Sequence, residues 1–243
     1  EAHNRLSCSE LLMPEPGYAL DFAVGLTYSL DLEALLGIPV SLGLLEEADS
    51  DAMKSPFYLL EAIRKSSDNI AIFCNAGGIA LPQKIQSVYS LLENSVFEVK
   101  LKNKQNFHPK LWFIKYKSED DKAYIKLLVL SRNLTFDNSI DLCICLQGEI
   151  MRTKRKRNQP LADMLEFVAG YADKKKRQRI LTLAEEILHV KNFDIEHPFE
   201  DYEFLPLGID NHDKEQTKLF DHKYDIFAVS PFLSDDIIRE LSK

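Results

Sequence analysis

Cysteine is scarce in this chain of 243 residues, which has only Cys8, Cys74, Cys143 and Cys145. Three of the four lie in apolar, strand-like surroundings, where a reduced cysteine behaves as a small hydrophobic residue. Cys143 and Cys145 share one face of a predicted strand, but a zinc site there would lack two further ligands. The scarcity excludes a small fold held together by disulfides, and we expect buried thiols and no bound metal or other cofactor.

Long apolar runs are also missing. The longest, such as residues 70–74 and 142–146, have the length of a strand and are far too short to span a bilayer. Charged residues make up 28% of the chain, which is ordinary for a globular protein and unlike a disordered one. No signal peptide is visible. The chain opens with Glu1 and not with Met, however, so the sequence does not decide whether a targeting segment has been removed. We therefore expect a globular protein without membrane contact that is, by default, cytoplasmic.

The chain has no excess of positive charge, since its net charge is −8. This excludes indiscriminate binding of polyanions over the whole surface. The distribution is uneven, however, because residues 152–157 and 174–179 each contain five basic residues in six positions, whereas residues 194–203 are acidic. Each basic run is either a solvated loop or helix face, or a local patch that attracts phosphate.

Strand and helix patterns alternate in the first part of the chain. Strands are predicted at 18–28 and 69–74, and helices at 30–36, from Pro56 and from Leu81. Four closely spaced strands follow at 96–101, 111–116, 124–130 and 142–146, before helices at 160–171 and 177–190. The first half resembles parallel βαβ units and the second an antiparallel section, so the predicted fold is α/β with a mixed sheet between helices.

We predict three regions along the chain. Residues 1–195 form one domain, residues 196–222 an acidic linker, and residues 223–243 a single strand and helix. A lone strand–helix unit cannot cover its own apolar faces. It either docks on the preceding domain or begins a second domain in a longer protein, and we favour the second interpretation.

Polar residues mark one end of a predicted hairpin. His108 and Lys110 precede its first strand, and Ser131 and Asn133 follow its second. If Tyr116 pairs with Ala123 across the turn, His108 lies opposite Ser131 and all four polar groups gather on one face. The prediction depends on this register, because a slip of one residue sends the two pairs to opposite faces.

Such a cluster suits chemistry at a phosphodiester. A neutral imidazole can attack phosphorus, while an ammonium and a carboxamide hold the oxygens on which charge builds up. The turn at 75–78 (Asn-Ala-Gly-Gly) either lines the same cleft or is a plain turn.

These residues resemble the phospholipase D superfamily, whose signature combines His-x-Lys and a later aspartate with Gly-Ser-x-Asn. His108-Pro-Lys110 and Ser131-Arg-Asn133 match with about the family's spacing, whereas Lys115 stands at the aspartate position and Leu130 at the glycine position. Residues 131–149 are similar to the segment that follows the second motif in bacterial nuclease-like members and tyrosyl-DNA phosphodiesterases. The latter also lack the aspartate.

The resemblance implies a role for each matching residue. His108 would be the nucleophile or its general-acid counterpart, forming or breaking a phosphohistidine. Lys110 and Asn133 would bind phosphate oxygens, with Ser131 and Arg132 beside the substrate. A further side chain normally orients the histidine, and the candidates here are Asp141 first, then Gln147 and Glu149.

In that family two half-domains face each other across a twofold axis, each supplying one His-x-Lys. This chain has one strand-borne copy, since His189-Val-Lys191 ends a helix and His212-Asp-Lys214 lies in the predicted linker. A homodimer or a further C-terminal half would therefore complete the site.

The resulting hypothesis is a metal-independent phosphodiesterase acting on nucleic acid, such as a nuclease of a restriction or defence system. The basic runs, taken to lie beside the site, favour it. The alternatives are a phospholipase or phosphatidyltransferase, and a non-catalytic module that binds nucleic acid or protein, which Lys115 in place of the aspartate favours.

Overall fold

The computed structural model describes residues 8–42, 56–81, 87–102, 105–135, 141–210, 212, 234, 235, 238 and 239. These described residues form eight strands: β1 Tyr18–Thr27, β2 Leu30–Asp31, β3 Ile70–Asn75, β4 Ile79–Ala80, β5 Val96–Val99, β6 Leu111–Ser118, β7 Ala123–Leu130 and β8 Cys143–Glu149. The α-helices are α1 Cys8–Leu12, α2 Leu32–Leu36, α3 Ile38–Ser41, α4 Pro56–Asn69, α5 Gln159–Ala169 and α6 Lys174–Ile187. Two 3-10 helices span Ser87–Ser95 and Lys156–Asn158.

Six of the strands form one mixed sheet in the order β5-β3-β1-β6-β7-β8. β1, β3 and β5 are parallel to one another, whereas β1, β6, β7 and β8 are joined in antiparallel pairs. The predicted mixed sheet is confirmed. The grouping of residues 96–101 with the antiparallel strands is wrong, because β5 pairs in parallel with β3 after a connection long enough for a crossover.

Helices cover both faces of this sheet, so that the predicted α-β-α sandwich is confirmed. On one face Phe73, Phe113 and Leu127 pack under α5 and α6. On the other face Ile72, Trp112 and their neighbours pack with residues of α1, α2, α3, α4 and the 3-10 helix Ser87–Ser95. Because both faces are buried, the central strands are mostly apolar, as the sequence pattern indicated.

Trp112 fits in this core because β1 has Gly25 directly opposite it. A Cβ atom on Gly25 would lie 2.8 Å from the indole ring, closer than real carbon contacts allow. The glycine therefore lets the ring lie flat against the β1 backbone at the centre of the sheet.

The segment predicted as a linker, residues 196–222, is described at 196–210 and 212, where it packs against the domain. Tyr202 and Phe204 form an aromatic cluster with Phe193. His212 is buried, and its Nε2 lies 2.7 Å from an Asp163 carboxylate oxygen on α5. The three predicted regions stay predictions, since most of residues 213–243 lie outside the described part.

The sheet has two opposite sides at which its strands begin or end, and different residues lie at each. β1, β3, β5 and β7 end where β6 and β8 begin, and we call this end the site edge. At the other end, the far edge, β1, β3 and β7 begin and β6 and β8 end. The eight residues of β6 separate the two by roughly 24 Å.

Candidate active site

The two motif segments meet at the site edge. His108 and Lys110 immediately precede β6, and residues 131–133 immediately follow β7. The backbone N–H of Leu130 donates to the carbonyl of Lys110 at 2.9 Å, which joins the segments directly. The predicted gathering of the motif residues at one end of the hairpin is therefore present.

The predicted register of this hairpin is wrong by one residue. Ala123 pairs with Lys117, and Tyr116 pairs with Tyr124. The turn is tighter than expected because Asp121 adopts a left-handed conformation, with φ of 60°, and its N–H donates to Ser118. Lys110 consequently lies beside Leu130 instead of Val129.

Asn133 nevertheless reaches Tyr28, whose ring packs on the histidine, because the chain leaves the sheet after Leu130 and crosses to the end of β1. The N–H of Leu134 donates to Thr27 Oγ1 at 3.0 Å, and the N–H of Asp31 donates to the Leu134 carbonyl at 2.9 Å. Asn133 Oδ1 in turn accepts from the Tyr28 N–H at 3.3 Å. The carboxamide is thus placed by the loop after β7, which forms an isolated parallel bridge between Leu134 and Leu30, and not by pairing within the hairpin.

Tyr28 is the common neighbour of the motif residues, and the sequence motifs did not indicate it. Its ring packs on the His108 imidazole with centroids 4.7 Å apart and planes inclined by 42°. Its backbone contacts Asn133 on one side and Asn75 on the other, whose N–H donates to the Tyr28 carbonyl at 3.1 Å. The only sequence signal was that Tyr28 ends the predicted strand 18–28.

The imidazole of His108 and the ammonium of Lys110 are in contact. Lys110 Nζ lies 3.1 Å from Nδ1 and 3.4 Å from Nε2 of the ring. Partial burial and the Lys110 charge lower the pKa of His108, and burial also lowers the pKa of Lys110. Around neutral pH the imidazole is therefore neutral, the form that can act as a nucleophile.

The turn at 75–78 supports the histidine segment from the other side. Asn75 Oδ1 accepts from the backbone N–H of Phe107 at 2.9 Å, and Phe107 is buried. Gly77 has φ of 77°, and a Cβ on Gly78 would lie 2.6 Å from the Tyr28 carbonyl oxygen, so both glycines are needed. This turn lies at the site edge and fixes the residue that precedes His108.

Ser131 and Asp141 are hydrogen-bonded to each other. Asp141 Oδ1 accepts from the backbone N–H of Ser131 at 2.9 Å and from its hydroxyl at 2.5 Å, while the Leu142 N–H donates to that hydroxyl oxygen at 2.9 Å. The pair ties the start of the loop to its end. That Asp141 orients His108 remains a prediction, since within the described residues its carboxylate contacts Ser131.

Position decides the two second choices for orienting the histidine, whereas substrate binding by Arg132 stays a prediction. Gln147 and Glu149 pair with Lys126 and Tyr124 near the far edge, so neither can orient the imidazole and both second choices are wrong. The Arg132 guanidinium is at the site edge and donates to the Thr135 carbonyl at 2.7 Å, within its own loop.

Lys115, at the position of the motif aspartate, points away from the site. It is five residues beyond Lys110 and on the opposite face of the sheet, with Nζ 2.9 Å from Asp21 and 2.7 Å from Glu186. Burial opposes its charge, but the bonds to these two carboxylates outweigh burial and raise its pKa. The substitution therefore concerns packing between the sheet and α6.

The basic runs do not lie beside the site, contrary to the sequence-based expectation. Residues 152–157 follow the end of β8, and residues 174–179 begin α6 next to the start of β3, so that both are at the far edge. The reason is topological, since the direction of each strand decides the edge to which its flanking residues belong.

The other two His-x-Lys sequences are also away from the site edge. His189 lies just after α6, where Nδ1 is 3.1 Å from the Arg152 carbonyl oxygen. His212 packs against α5, and Lys214 lies outside the described residues. The described part of the chain therefore holds one strand-borne motif.

No group of three metal-ligating side chains comes together among the described residues, and none of the described helices is long and apolar enough to cross a membrane.

Comparisons with known proteins find similarity of structure only. No family model and no curated protein matches the chain. A variant of yeast tyrosyl-DNA phosphodiesterase 1 aligns with 76% of this chain at a TM-score of 0.47 and 13% identity, covering 38% of its own length. Another structure of the yeast enzyme aligns with 69% at a TM-score of 0.44 and 15% identity, covering 35%. The chain thus spans little more than a third of the length of these proteins.

Proposed function

We propose that this chain is one half of a phospholipase D-like phosphodiesterase that acts on nucleic acid through a covalent phosphohistidine. The observation that carries the proposal is the convergence at one edge of a neutral imidazole, an ammonium 3.1 Å from it, and a carboxamide held by the same tyrosine. This set matches the needs of nucleophilic attack on a phosphodiester.

The chemistry proceeds in two displacements. A ring nitrogen of His108 attacks phosphorus, an N–P bond forms, and the P–O bond to the leaving group breaks as that oxygen takes a proton from an acid. Water then attacks the phosphohistidine, gives a proton to the same group, and releases the phosphate ester and the free imidazole. Lys110 and Asn133 would hold the non-bridging oxygens throughout.

A second histidine is needed as the acid, and one strand-borne motif is described here. We propose that it comes from a second copy of the chain or from a further C-terminal half, which would bring two site edges together. The exposure of His108 at the surface supports this arrangement, because its open side remains available to a partner. A restriction or defence role stays a prediction.

The proposal is tested with single- and double-stranded oligonucleotides in the presence of EDTA. We expect cleavage by the wild-type chain, at a rate that follows dimer formation or addition of the missing half, and an acid-labile protein–nucleotide adduct. His108→Ala should abolish both while leaving the fold intact, since the side chain is exposed. Equal cleavage by wild type and His108→Ala would rule out the proposal.

The same experiment distinguishes two alternative functions. Turnover of phosphatidylcholine but not of nucleic acid would indicate a lipid phosphodiesterase. Salt-dependent binding of nucleic acid with no turnover, even when the second half is supplied, would indicate a binding module.

A further inference from the structure

Two exposed lysines extend the site edge beyond the motif residues. Lys100 and Lys102 directly follow β5, the edge strand on the parallel side of the sheet, and both side chains are exposed. Leu101 between them packs against the core, which fixes the position of the segment. β5 ends at the site edge because it is parallel to β3.

Asn75 connects the segment that carries Lys100 and Lys102 to the segment that carries His108. Val99 pairs with Asn75 in the sheet, and its carbonyl accepts from the Ala76 N–H at 3.0 Å. Asn75 Oδ1 accepts from the backbone N–H of Phe107, directly before the histidine. Three strand spacings separate β5 from β6, so the two strands that lead from the lysines and to the histidine are about 14 Å apart across the sheet.

The carboxylates Glu98, Asp31 and Asp141 accept hydrogen bonds from backbone N–H groups and form no ion pair with these lysines. Glu98 Oε1 accepts from Gly77 at 2.7 Å, and Asp31 Oδ1 accepts from Glu33 at 2.9 Å. Asp141 holds the Ser131 loop in the same way. Among the described residues, no carboxylate is within ion-pairing distance of Lys100 or Lys102. Their charges therefore remain available to a ligand.

We propose that Lys100 and Lys102 form a backbone-binding track that guides a nucleic-acid strand along the site edge to His108. The inference rests on the proposed function for the identity of the ligand. Its chemistry is electrostatic, since each ammonium replaces a counterion on a phosphate of the strand and makes no contact that depends on base sequence. Lys110 continues the row toward the imidazole.

The test uses direct binding, so that it does not depend on turnover. A fluorescein-labelled single strand of about 12 nucleotides, within the usual range for such grooves, is titrated with the His108→Ala chain. The same titration is made with Lys100→Glu/Lys102→Glu added. The matched control is Arg155→Glu/Lys156→Glu, which makes the same change in net charge with two exposed cations at the far edge.

We expect the track variant to weaken binding at least about tenfold and to lower the slope of log affinity against log salt by roughly 1.4, whereas the control changes affinity less than about threefold. Thermal unfolding checks that both variants fold. Equal effects of the two variants, a larger effect of the control, or no binding to any strand would overturn the track. Strand binding by the His108→Ala chain, together with no cleavage by the wild-type chain when its second half is supplied, would leave the track standing and reject the phosphodiesterase, whereas wild-type cleavage with equal effects of the two variants would reject the track alone.

Discussion

The two edges of the sheet carry similar charged side chains and use them in opposite ways. At the far edge several of the cations have internal partners: Lys175 bonds to Asp68 at 2.7 Å, and Lys154 to Glu185 at 2.5 Å. At the site edge the carboxylates are bound to backbone N–H groups, and the ammonium of Lys110 contacts a neutral imidazole. A run of basic residues in a sequence therefore does not locate phosphate binding, because the partners of each charge decide its availability.

Lys110 and Lys115, on one segment, give the sharpest test of this difference. Lys110→Met should lower the cleavage rate about 10²- to 10³-fold, the usual cost of removing one group that stabilises transition-state charge. It should leave the free energy of unfolding nearly unchanged, since Lys110 makes no ion pair with a described carboxylate. Rates from single-turnover cleavage and urea unfolding of the same samples measure the two effects.

Lys115→Met should have the opposite effect, lowering stability and leaving the cleavage rate nearly unchanged. Asp21 and Glu186 would lose the ammonium between them, which should lower the free energy of unfolding by about 1–3 kcal/mol, moderated because both carboxylates retain some contact with water. The cleavage rate per folded molecule should stay within about twofold of the wild type. If Lys115→Met instead removed activity from a stable chain, the separation between the edges would be wrong.

Tyr28 tests whether ring packing positions the imidazole. Tyr28→Leu removes the ring and should lower kcat roughly tenfold, near 1.4 kcal/mol, while KM changes little. Removal of the ring would expose more of His108 to water, so that the pKa of His108 should rise toward its ordinary value, which NMR titration of the imidazole can follow. Tyr28→Phe keeps the ring and should restore both values. An equal loss in Tyr28→Phe would instead indicate that the hydroxyl matters.

The sequence was sufficient for the features that depend on local pattern. The apolar runs predicted β1, β3, β6, β7 and β8, and the motif spacing placed His108 and Lys110 at the same end of a hairpin as Ser131 and Asn133. These are short-range properties, since strand period and chain direction follow from adjacent residues.

Long-range contacts could not be predicted in this way. Tyr28 and Asn133 are 105 positions apart, and only the crossing loop brings them together. The register depended on Asp121 in a left-handed turn without glycine, for which the sequence has no distinctive signal. The position of the basic runs required the strand order, which a single sequence does not contain.

The smallest expected effect concerns Lys176 at the far edge, a cation used entirely for packing. Its side chain is 2% exposed, its ammonium donates to the Ile70 carbonyl at 2.6 Å, and burial lowers its pKa to about 8. Between pH 8 and its ordinary value of about 10.4, the unfolded chain binds a proton that the folded chain has lost. The contribution of this group to the free energy of unfolding therefore rises with pH in that window.

Comparison with Lys176→Met isolates this contribution, because all other titrating groups are shared. Urea unfolding at pH values from 7 to 10 should show wild-type stability rising relative to the variant above pH 8, and a constant difference below it. Lys174→Met, an exposed lysine at the start of the same helix, should run parallel to the wild type throughout. A parallel course for Lys176→Met as well would mean that Lys176 keeps its proton inside the fold. The far edge would then tolerate a buried charge through its carbonyl partners alone.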